Sequence, residues 1–408
     1  MSELADNVGD MRFLHTSDWH LGRGFHGYSL RAEQKEMLDT VCRTVQEQQV
    51  DVVLISGDVY DRALPPEWAV TALEDCLTRL VALGAKVIIT SGNHDSAARL
   101  GFARGLMASS GVHIRSSLED AWQPIELADE TGPVLVYGVP YLEPQLYAAQ
   151  LGCARANHTA VMEAVIGRIR EDLNQRDDDG ARVILMAHLF AAKGTASDSE
   201  RNIGVDAPAG ESPEHHEDSI GGLSVVPLET FDGFDAVALG HLHGRQQLNA
   251  SVRYSGSPLT YSFSESEQAK GAWLLDTSTE EGISATALDW RIGRPVKKLR
   301  GDIAEVLADE TLTQWADAYV QVRLTDPQRP ERAHQRIKEA YPYLAVFSYE
   351  GAGRVRSSST YSHKVESASN DVDTVAAFLE HVRDRRADTD EVELISQAFQ
   401  EVRAGEAA

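Results

Sequence analysis

The hydrophobic pattern in the first two thirds of the chain is a series of short apolar runs, each of which stops at a polar tip. The runs are five residues long or shorter, and several are rich in Val and Ile, as strands buried on both faces are. In chain order they occupy residues 12–16, 52–56, 86–90, 183–187 and 236–239. The pattern predicts buried strands with a cluster of polar residues at the carboxyl end of each one.

Apolar residues between these runs recur at helical spacing. The clearest case is residues 70–81, where apolar side chains repeat every three or four positions, with a Pro-Pro pair before them and Gly84 after them. A second helix is predicted around residues 38–45 and a third over residues 158–173. Strands and helices therefore alternate along this part of the chain.

Two later runs, residues 252–255 and 272–276, predict an antiparallel pair of strands. Together with the alternation that precedes them, they predict an α/β fold built on a large sheet.

The polar tips share a small set of residue types. They are Ser17-Asp18-Trp19-His20, Gly57-Asp58, Gly92-Asn93-His94-Asp95, Ala187-His188 and Gly240-His241-Leu242-His243. Seven of their side chains are candidate metal ligands, which are carboxylates, an amide and imidazoles without a thiolate: Asp18, His20, Asp58, Asn93, His188, His241 and His243. Two divalent ions that share a bridging carboxylate need such a mixed oxygen and nitrogen shell to hydrolyse a phosphoester. The donor set suits Mn²⁺ or Fe²⁺ at least as well as Zn²⁺.

No single tip carries this interpretation. A lone Gly-Asp after a strand is usually turn chemistry, because both residues favour turns for conformational reasons. The pair His241 and His243 is more informative, since residues two apart on a strand share one face. Five such tips at five strand ends favour a metal site over coincidence.

Composition and charge set limits on this interpretation. The chain has 408 residues, of which 42% are hydrophobic and 25% charged, and this predicts two or three domains. Without a membrane-length apolar stretch or a signal-peptide pattern, we expect a soluble, cytoplasmic protein, with residues 1–10 disordered. Cys42, Cys76 and Cys153 are expected to be reduced thiols.

The net charge of −25 would repel nucleic acid, so DNA affinity has to be local or shared with a partner. One segment of ten residues carries five bases and no acid, and it is the predicted DNA-binding surface, the alternative being a solvated strand or loop. Its bases are Arg291, Arg294, Lys297, Lys298 and Arg300.

The motifs resemble those of the calcineurin-like metallophosphoesterase superfamily, namely Asp18-x-His20, Gly57-Asp58, Gly92-Asn93-His94-Asp95, His188 and Gly240-His241-x-His243. Finer segments are similar to the SbcD family, which provides the nuclease subunit of SbcCD-type exonucleases. They are residues 16–23, residues 93–96 followed by Arg99-Leu100, residues 197–201 and residues 254–258. The resemblance extends over about residues 11–350.

The resemblance implies a sandwich of two mixed sheets flanked by helices, with a small α+β capping domain and C-terminal helices. It also implies a ligand set, with Mn²⁺ the expected metal. One ion would be held by Asp18, His20 and His243 and the other by Asn93, His188 and His241, with Asp58 bridging them.

Two neighbouring residues of the third tip receive catalytic roles. His94 is expected to position the scissile phosphate or to protonate the leaving oxygen. Asp95 is expected either to orient His94 or to cap the helix that begins near Ser96, and we favour the cap.

The same resemblance divides the chain into domains. The nuclease domain covers residues 11–285, with a flexible insertion at about 202–219, and the DNA-capping domain covers 286–350. The capping domain contains a strand at 319–324, a helix at 332–340 and a strand at 345–349. Residues 351–370 have the composition of a linker.

Residues 371–405 carry two amphipathic stripes, which are expected to bind an SbcC-like ATPase. The stripes are Val375, Phe378, Leu379 and Val382, then Ile395, Ala398, Phe399 and Val402.

The predicted function is a DNA nuclease subunit, both double-strand exonuclease and single-strand or hairpin endonuclease, acting in DNA repair, recombination and replication. Expected partners are the SbcC-like ATPase, double- and single-stranded DNA and a second nuclease subunit, near the nucleoid and not at a membrane. One alternative is a small-molecule phosphodiesterase or phosphomonoesterase with the same metal centre. Another is a scaffold that has lost catalysis, although no ligand is missing.

Overall fold

The computed structural model describes residues 10–176, 180–195, 219–220, 223–279, 282–350, 372, 374–376, 379 and 388–406. Several predicted segments lie outside these residues, although one terminal residue of two of them, 10 and 219, is described. They are the N-terminal segment 1–10, the motif 197–201, the insertion 202–219 and the linker 351–370. Phe378 and Val382 of the first amphipathic stripe also lie outside them, as does the side chain of Val402.

The described strands are, in chain order, β1 (Arg12–Thr16), β2 (Gly24–Phe25), β3 (Tyr28–Ser29), β4 (Val52–Ser56), β5 (Lys86–Thr90), β6 (Val112–Arg115), β7 (Ile125–Asp129), β8 (Gly132–Gly138), β9 (Arg182–His188), β10 (Ser219–Ile220), β11 (Leu223–Ser224), β12 (Ala236–Gly240), β13 (Gln246–Gln247), β14 (Val252–Tyr254), β15 (Gly271–Thr279), β16 (Gly282–Asp289), β17 (Val296–Gly301), β18 (Tyr319–Leu324) and β19 (Leu344–Tyr349). The α-helices are α1 (Arg31–Gln48), α2 (Glu67–Ala82), α3 (Ala97–Leu100), α4 (Arg104–Ala108), α5 (Pro144–Leu151), α6 (His158–Gln175), α7 (Ile303–Ala308), α8 (Glu310–Thr313), α9 (Ala333–Ala340) and α10 (Thr389–Glu406).

Two six-stranded mixed sheets form the core of the first two thirds of the chain. The first has the order β16-β15-β1-β4-β5-β6, in which β1, β4, β5 and β6 run parallel. β15 is antiparallel to β1, and β16 is antiparallel to β15. The second has the order β13-β14-β12-β9-β8-β7, in which the four central strands run parallel and the edge strands β13 and β7 are antiparallel. Parallel strands within each sheet place their carboxyl ends at a common edge.

The two sheets pack face to face through one apolar layer. Phe13 and Leu54 of the first sheet belong to this layer together with Ile184 and Ala238 of the second. Residues that alternate with them point the other way, as Leu14 does, into a separate core shared with the helices. Strands buried on both faces need apolar residues at every position, which is why these runs are continuous rather than alternating.

Helices cover the two outer faces. Buried residues of α1 and α2 share a core with the first sheet, and those of α5 and α6 share one with the second. The helix predicted at 158–173 is found within two residues of its expected ends. The helix predicted at 70–81 lies within α2, where Leu73, Leu77 and Leu80 are buried as expected but Val70 is 45% exposed. The three cysteines are free thiols, but the Sγ atoms of Cys42 on α1 and Cys76 on α2 lie 3.9 Å apart.

The predicted pairing of residues 252–255 with 272–276 is wrong. β14 belongs to the second sheet, where it pairs with β12 and β13, and β15 belongs to the first, where it pairs with β1 and β16. The intervening chain crosses from one sheet to the other. Apolar alternation identifies a strand but does not choose its neighbour, because a pairing partner is set by tertiary packing.

The chain divides into two compact units. The first comprises the described residues within 1–298, 314–321 and 341–346, and the second those within 299–313, 322–340 and 347–408. Val306, Val322, Leu324 and Ile337 are fully buried apolar residues of the second unit. A three-stranded sheet has the order β17-β18-β19, and the strand, helix and strand predicted at 319–324, 332–340 and 345–349 are present.

No helix in the described part of the chain combines the length and the apolar character that crossing a bilayer would require.

Candidate metal centre

All five polar tips meet at one place, at the carboxyl ends of strands from both sheets. β1 leads into Asp18 and His20, β4 into Asp58 and β5 into Asn93, while β9 ends at His188 and β12 leads into His241 and His243. Six of these side chains are buried, with at most 8% of the residue exposed, and Asn93 is half-buried. The structure therefore brings together the seven residues that the sequence selected.

Asn93, His188 and His241 form one group of donor atoms. The Oδ1 atom of Asn93 lies 2.9 Å from Nε2 of His188 and 3.2 Å from Nδ1 of His241. Nε2 of His188 is also 3.3 Å from Oδ2 of Asp58.

Asp18, His20 and His243 form a second group, whose donor atoms all lie within 4.8 Å of one another. Nε2 of His20 is 3.1 Å from Nε2 of His243 and 3.7 Å from Oδ2 of Asp58. The Asp58 carboxylate thus reaches both groups, which is the requirement for a bridging ligand.

The donors fit divalent cations. Nε2 of His20 and Nε2 of His243 face each other 3.1 Å apart in the interior, as two nitrogens that bind the same cation would. Nδ2 of Asn93 and Nε2 of His94 are buried here without a hydrogen-bond partner in the described part of the chain. Oxygen and nitrogen donors without a thiolate match hard or borderline divalent ions.

The backbone at this site is strained. Asp18, His20, Asp58 and His241 have φ values of 54°, 43°, 50° and 105°, in the left-handed region that residues with a Cβ seldom adopt. Such conformations cost about 1–3 kcal/mol each and persist where the surrounding structure enforces them, often at functional sites. The amides of Asp18 and His20 donate to the carbonyls of Gly57 and Asp58, at 3.1 and 3.0 Å, and help to hold these turns.

Two glycines permit the close approach of the tips. A Cβ at Gly92 would collide with the Asp58 carboxylate, and a Cβ at Gly240 would collide with the carbonyl of Ser56. Any larger residue at either position would push the ligand-bearing loops apart.

At neutral pH the site carries two ionised carboxylates and one protonated imidazole. Burial raises the pKa of Asp18 to about 6. Burial acts in the same direction on Asp58, but the imidazoles of His188 and His20 outweigh it and hold the Asp58 pKa well below its ordinary value. Burial, reinforced by His188, lowers the pKa of His241 to about 3, so that this imidazole is a neutral donor. Burial disfavours the charged form of His188, but the carboxylates of Asp58 and Asp18 outweigh it and raise the pKa of His188 to about 9, so a cation has to displace the proton of this imidazole.

His94 lies beside the ligands and is oriented from two sides. Its backbone amide donates to Oδ1 of Asp58 at 2.9 Å, and its ring Nδ1 lies 2.8 Å from the carbonyl of Asp61. A carbonyl only accepts hydrogen bonds, so Nδ1 carries a proton and Nε2 faces the site, 4.0 Å from Oδ2 of Asp58. His94 could also complete a donor group with His20 and Asp58.

Asp95 does not cap α3, and it acts on His94 only through the backbone. Ser96 is the N-cap of α3 and its side chain accepts from the amide of Arg99, so the preferred cap prediction is wrong. The His94 ring is oriented by the Asp61 carbonyl instead. The Asp95 carboxylate accepts from the amides of Val59, Tyr60 and Gly92 at 2.9–3.1 Å, and it joins the loop after β4 to the loop after β5. A side chain that accepts main-chain bonds from a distant loop leaves no sequence pattern.

Glu265 and Lys270 are site residues that the sequence did not reveal. Oε1 of Glu265 lies 3.1 Å from Nδ1 of His243, and Nζ of Lys270 donates to Oε2 of Glu265 at 2.6 Å. Glu265 is fully buried, and Lys270 is 8% exposed. A carboxylate behind a histidine fixes the ring so that its other nitrogen faces the metal. Glu265 ends a short 3-10 helix and Lys270 directly precedes β15, so neither lies at one of the five strand ends that mark the ligands.

The basic segment is only partly free. Arg291 and Lys298 are exposed, whereas three of the five predicted DNA-binding residues have acidic partners in the chain. The pairs are Arg294 with Asp317 at 3.1 Å, Lys297 with Glu267 at 3.1 Å and Arg300 with Glu350 at 3.0 Å.

We expect Glu265→Gln to weaken metal binding about 10- to 100-fold, because the amide keeps the shape of the side chain but loses the charge that orients His243. Calorimetric titration of metal-free protein with Mn²⁺ measures the effect, and circular dichroism checks the fold. Glu126→Gln, at a carboxylate 68% exposed, is the matched control and should bind like the wild type. Equal affinities for the two variants would contradict the role of Glu265.

Comparison with known proteins agrees with this geometry. The family model for calcineurin-like phosphoesterases matches residues 11–245, and a model described as the type 5 capsule protein repressor C-terminal domain matches residues 293–403. The SbcD subunit of the nuclease SbcCD from Escherichia coli K12 is 31% identical over 315 residues, which are 75% of this chain and 74% of that protein. Its counterpart in Staphylococcus epidermidis is 29% identical over 343 residues, 83% of this chain and 85% of that protein. This chain belongs to the calcineurin-like phosphoesterase superfamily and, within it, to the SbcD family of nuclease subunits.

Proposed function

We propose that this chain is the nuclease subunit of an SbcCD-type complex and hydrolyses DNA phosphodiesters with two divalent ions. It acts as a double-strand exonuclease and as a single-strand or hairpin endonuclease, in the cytoplasm at the nucleoid. The observation that carries the proposal is the convergence of seven oxygen and nitrogen donors from five strand ends around the shared carboxylate of Asp58. The names of the relatives, which are nuclease subunits, support the choice of DNA over a small phosphoester.

The two donor groups divide the ligands as follows. One ion would be held by Asp18, His20 and His243 and the other by Asn93, His188 and His241, with Asp58 available to both. Such a pair of ions neutralises charge on the transferring phosphoryl group and activates the attacking water. Mn²⁺ is the proposed metal, because a mixed shell of oxygen donors and imidazoles without a thiolate suits it.

The protein's own contribution is to orient these groups and to move a proton. Nε2 of His94 is buried, faces the ligand group and is held by the Asp61 carbonyl behind it. We assign it the protonation of the leaving oxygen or the placement of the scissile phosphate. Asp95 acts as a positioning residue, since its carboxylate joins the loops that carry Asp58 and His94.

An SbcC-like ATPase is the proposed partner, because the relatives are named as one subunit of SbcCD. A net charge of −25 leaves the chain little non-specific attraction to DNA, and a second subunit would supply the missing surface. Helix α10 offers a docking stripe in which Ile395 and Phe399 are half-buried.

A second nuclease subunit is the other proposed partner. A groove of about 710 Å³ beside α2 is lined by Val70, Leu73, Leu77, Met107 and Ile114. At its edge Phe102 is 80% exposed, and the neighbouring Leu106 is 78% exposed. Large apolar side chains exposed this far next to a groove are typical of interaction surfaces.

We expect His94→Gln to keep both metals and to lose nuclease activity roughly 10²- to 10⁴-fold, the usual effect of removing one acid–base group. Elemental analysis and turnover of linear duplex DNA are measured side by side. His113→Gln on β6, half-buried and outside the ligand groups, should behave like the wild type. Loss of metal would make His94 a ligand, and retained turnover would remove it from the chemistry.

We expect the double variant Ile395→Asp with Phe399→Asp to lose binding to the purified ATPase, because charges in an apolar interface are costly to bury. Gln397→Asp, two positions from either residue and therefore on another face of α10, is the control. Pull-down measures binding, and hydrolysis of bis(p-nitrophenyl) phosphate shows whether the metal centre is intact. Unchanged binding of the double variant would exclude this stripe as the docking site.

We expect the double variant Phe102→Asp with Leu106→Asp to be monomeric where the wild type is dimeric, since charge replaces exposed apolar contact area. Light scattering after size exclusion measures the mass. Leu146→Asp on α5, at a residue 65% exposed on another helix, should leave the dimer intact. A wild-type monomer, or a dimer that survives the double substitution, would refute the proposed surface.

A further inference from the structure

A pocket of about 480 Å³ lies in the first compact unit, next to the chain that enters β17. Its size is within the range of sites that hold small ligands. Three aromatic and four basic residues line it: Trp290, Trp315, Tyr319, Lys270, Arg291, Arg294 and Lys297. We call it the Trp290 pocket.

Three basic side chains of the pocket can reorient to bind an anion. Arg291 is exposed. Lys297 and Arg294 are paired with Glu267 and Asp317, whose side chains are 81% and 84% exposed. Pairs with carboxylates this exposed are weak and screened by salt, so a phosphate can replace the carboxylate at little cost.

The aromatic residues offer a flat apolar surface beside these charges. Trp290 and Trp315 are both half-buried, so part of each indole faces the pocket. Nζ of Lys297 lies 4.9 Å from the ring centroid of Trp315. Aromatic rings interleaved with cations bind single-stranded nucleic acid, because any base stacks on the ring while the cations contact its phosphate.

Two acidic residues of the pocket wall are already engaged. Glu33 accepts a hydrogen bond from the Tyr319 hydroxyl at 2.9 Å, and Asp289 is paired with Arg245. The Tyr319 hydroxyl offsets part of the Glu33 charge. The Asp289 side chain is 71% exposed, so its pair with Arg245 is screened and reduces its repulsion of a phosphate only in part.

One residue connects the pocket to the metal centre. Lys270 is part of the pocket wall, and its backbone carbonyl accepts from the amide of Trp290 at 2.9 Å. Its Nζ donates to the carbonyl of His243 at 2.9 Å and to Glu265, which contacts the His243 ring. The pocket is thus one side chain away from a proposed metal ligand.

We propose that the Trp290 pocket binds a nucleotide of a single DNA strand next to the phosphodiester that is cut. The base stacks on Trp290 or Trp315, and its phosphate pairs with Arg291 and Lys297. The proposal rests on the proposed nuclease function and adds to it a subsite for the unpaired strand.

The test measures binding of a fluorescein-labelled phosphorothioate dT₁₂ by the full-length, Mn²⁺-loaded protein, using fluorescence anisotropy. We expect Trp290→Ala combined with Trp315→Ala, and separately Arg291→Glu, to weaken binding about ten-fold or more. Trp122→Ala removes a half-buried indole that lies under Arg168 instead, and Arg155→Glu makes the same charge change at an exposed site elsewhere. Both controls should bind like the wild type.

Equal binding by Arg291→Glu and Arg155→Glu would overturn the proposal, and so would equal binding by the two kinds of tryptophan variant. Because Arg291 is exposed, its substitution tests the site even where the tryptophan variants do not fold. Hydrolysis of bis(p-nitrophenyl) phosphate by the wild type tests the metal centre separately. A wild type inactive on both this compound and DNA refutes the nuclease function, whereas an active wild type with unaffected pocket variants refutes only the subsite.

Discussion

Two buried carboxylates, those of Asp18 and Asp58, set the conditions that the rest of this structure satisfies. An ionised carboxylate in a protein interior is very costly unless donors and positive charge surround it. Asp18 accepts from the Ser17 hydroxyl at 2.5 Å and from the amide of His241 at 3.1 Å. Asp58 accepts from the amide of His94 and lies 3.3 Å from His188. These donors come from both sheets, so the carboxylates are satisfied only when the strand ends of both sheets meet.

The same requirement explains the local strain and the close approach of the loops. Four of the proposed ligands hold left-handed backbone conformations, and glycines stand where a Cβ would strike a neighbouring ligand or the backbone beside it. Rigid strands packed through a shared apolar layer hold the loops in these conformations. Behind the ligands, Asp95 joins two loops and Glu265 fixes one imidazole, so the donor atoms are oriented before any cation binds.

Charge is distributed to suit a nuclease subunit that works with a partner. The chain as a whole carries a net charge of −25, while its basic segment follows directly after β16 and contributes to a pocket beside the metal centre. In the proposed subsite, local cations with aromatic neighbours would hold a strand in place, whereas long-range attraction to DNA needs a more basic surface than this chain has. In the proposed complex, the ATPase would supply the basic surface that this chain lacks.

The strands that carry the metal centre, and its proposed ligands, can be predicted from the amino-acid sequence. Fully buried strands must be apolar at every position, and metal ligands must be carboxylate, amide or imidazole, so both leave a signal along the chain. β1, β4 and β5 were predicted to the residue, and all seven proposed ligands converge. The two-sheet fold was expected from the resemblance, and the motifs also placed the chain in its family. Strand pairing, and the contacts that orient the ligands, depend on tertiary packing and could not be predicted from the sequence. β14 and β15 are both clear strands in the sequence, yet they belong to different sheets because packing, not alternation, selects a partner. Asp95, Glu265, Lys270 and the contact between Cys42 and Cys76 depend on residues distant in the chain or on segments away from the five strand ends, which have no periodicity to detect. Periodic burial and ligand chemistry are written into the sequence, whereas contacts between distant segments exist only once the chain has folded.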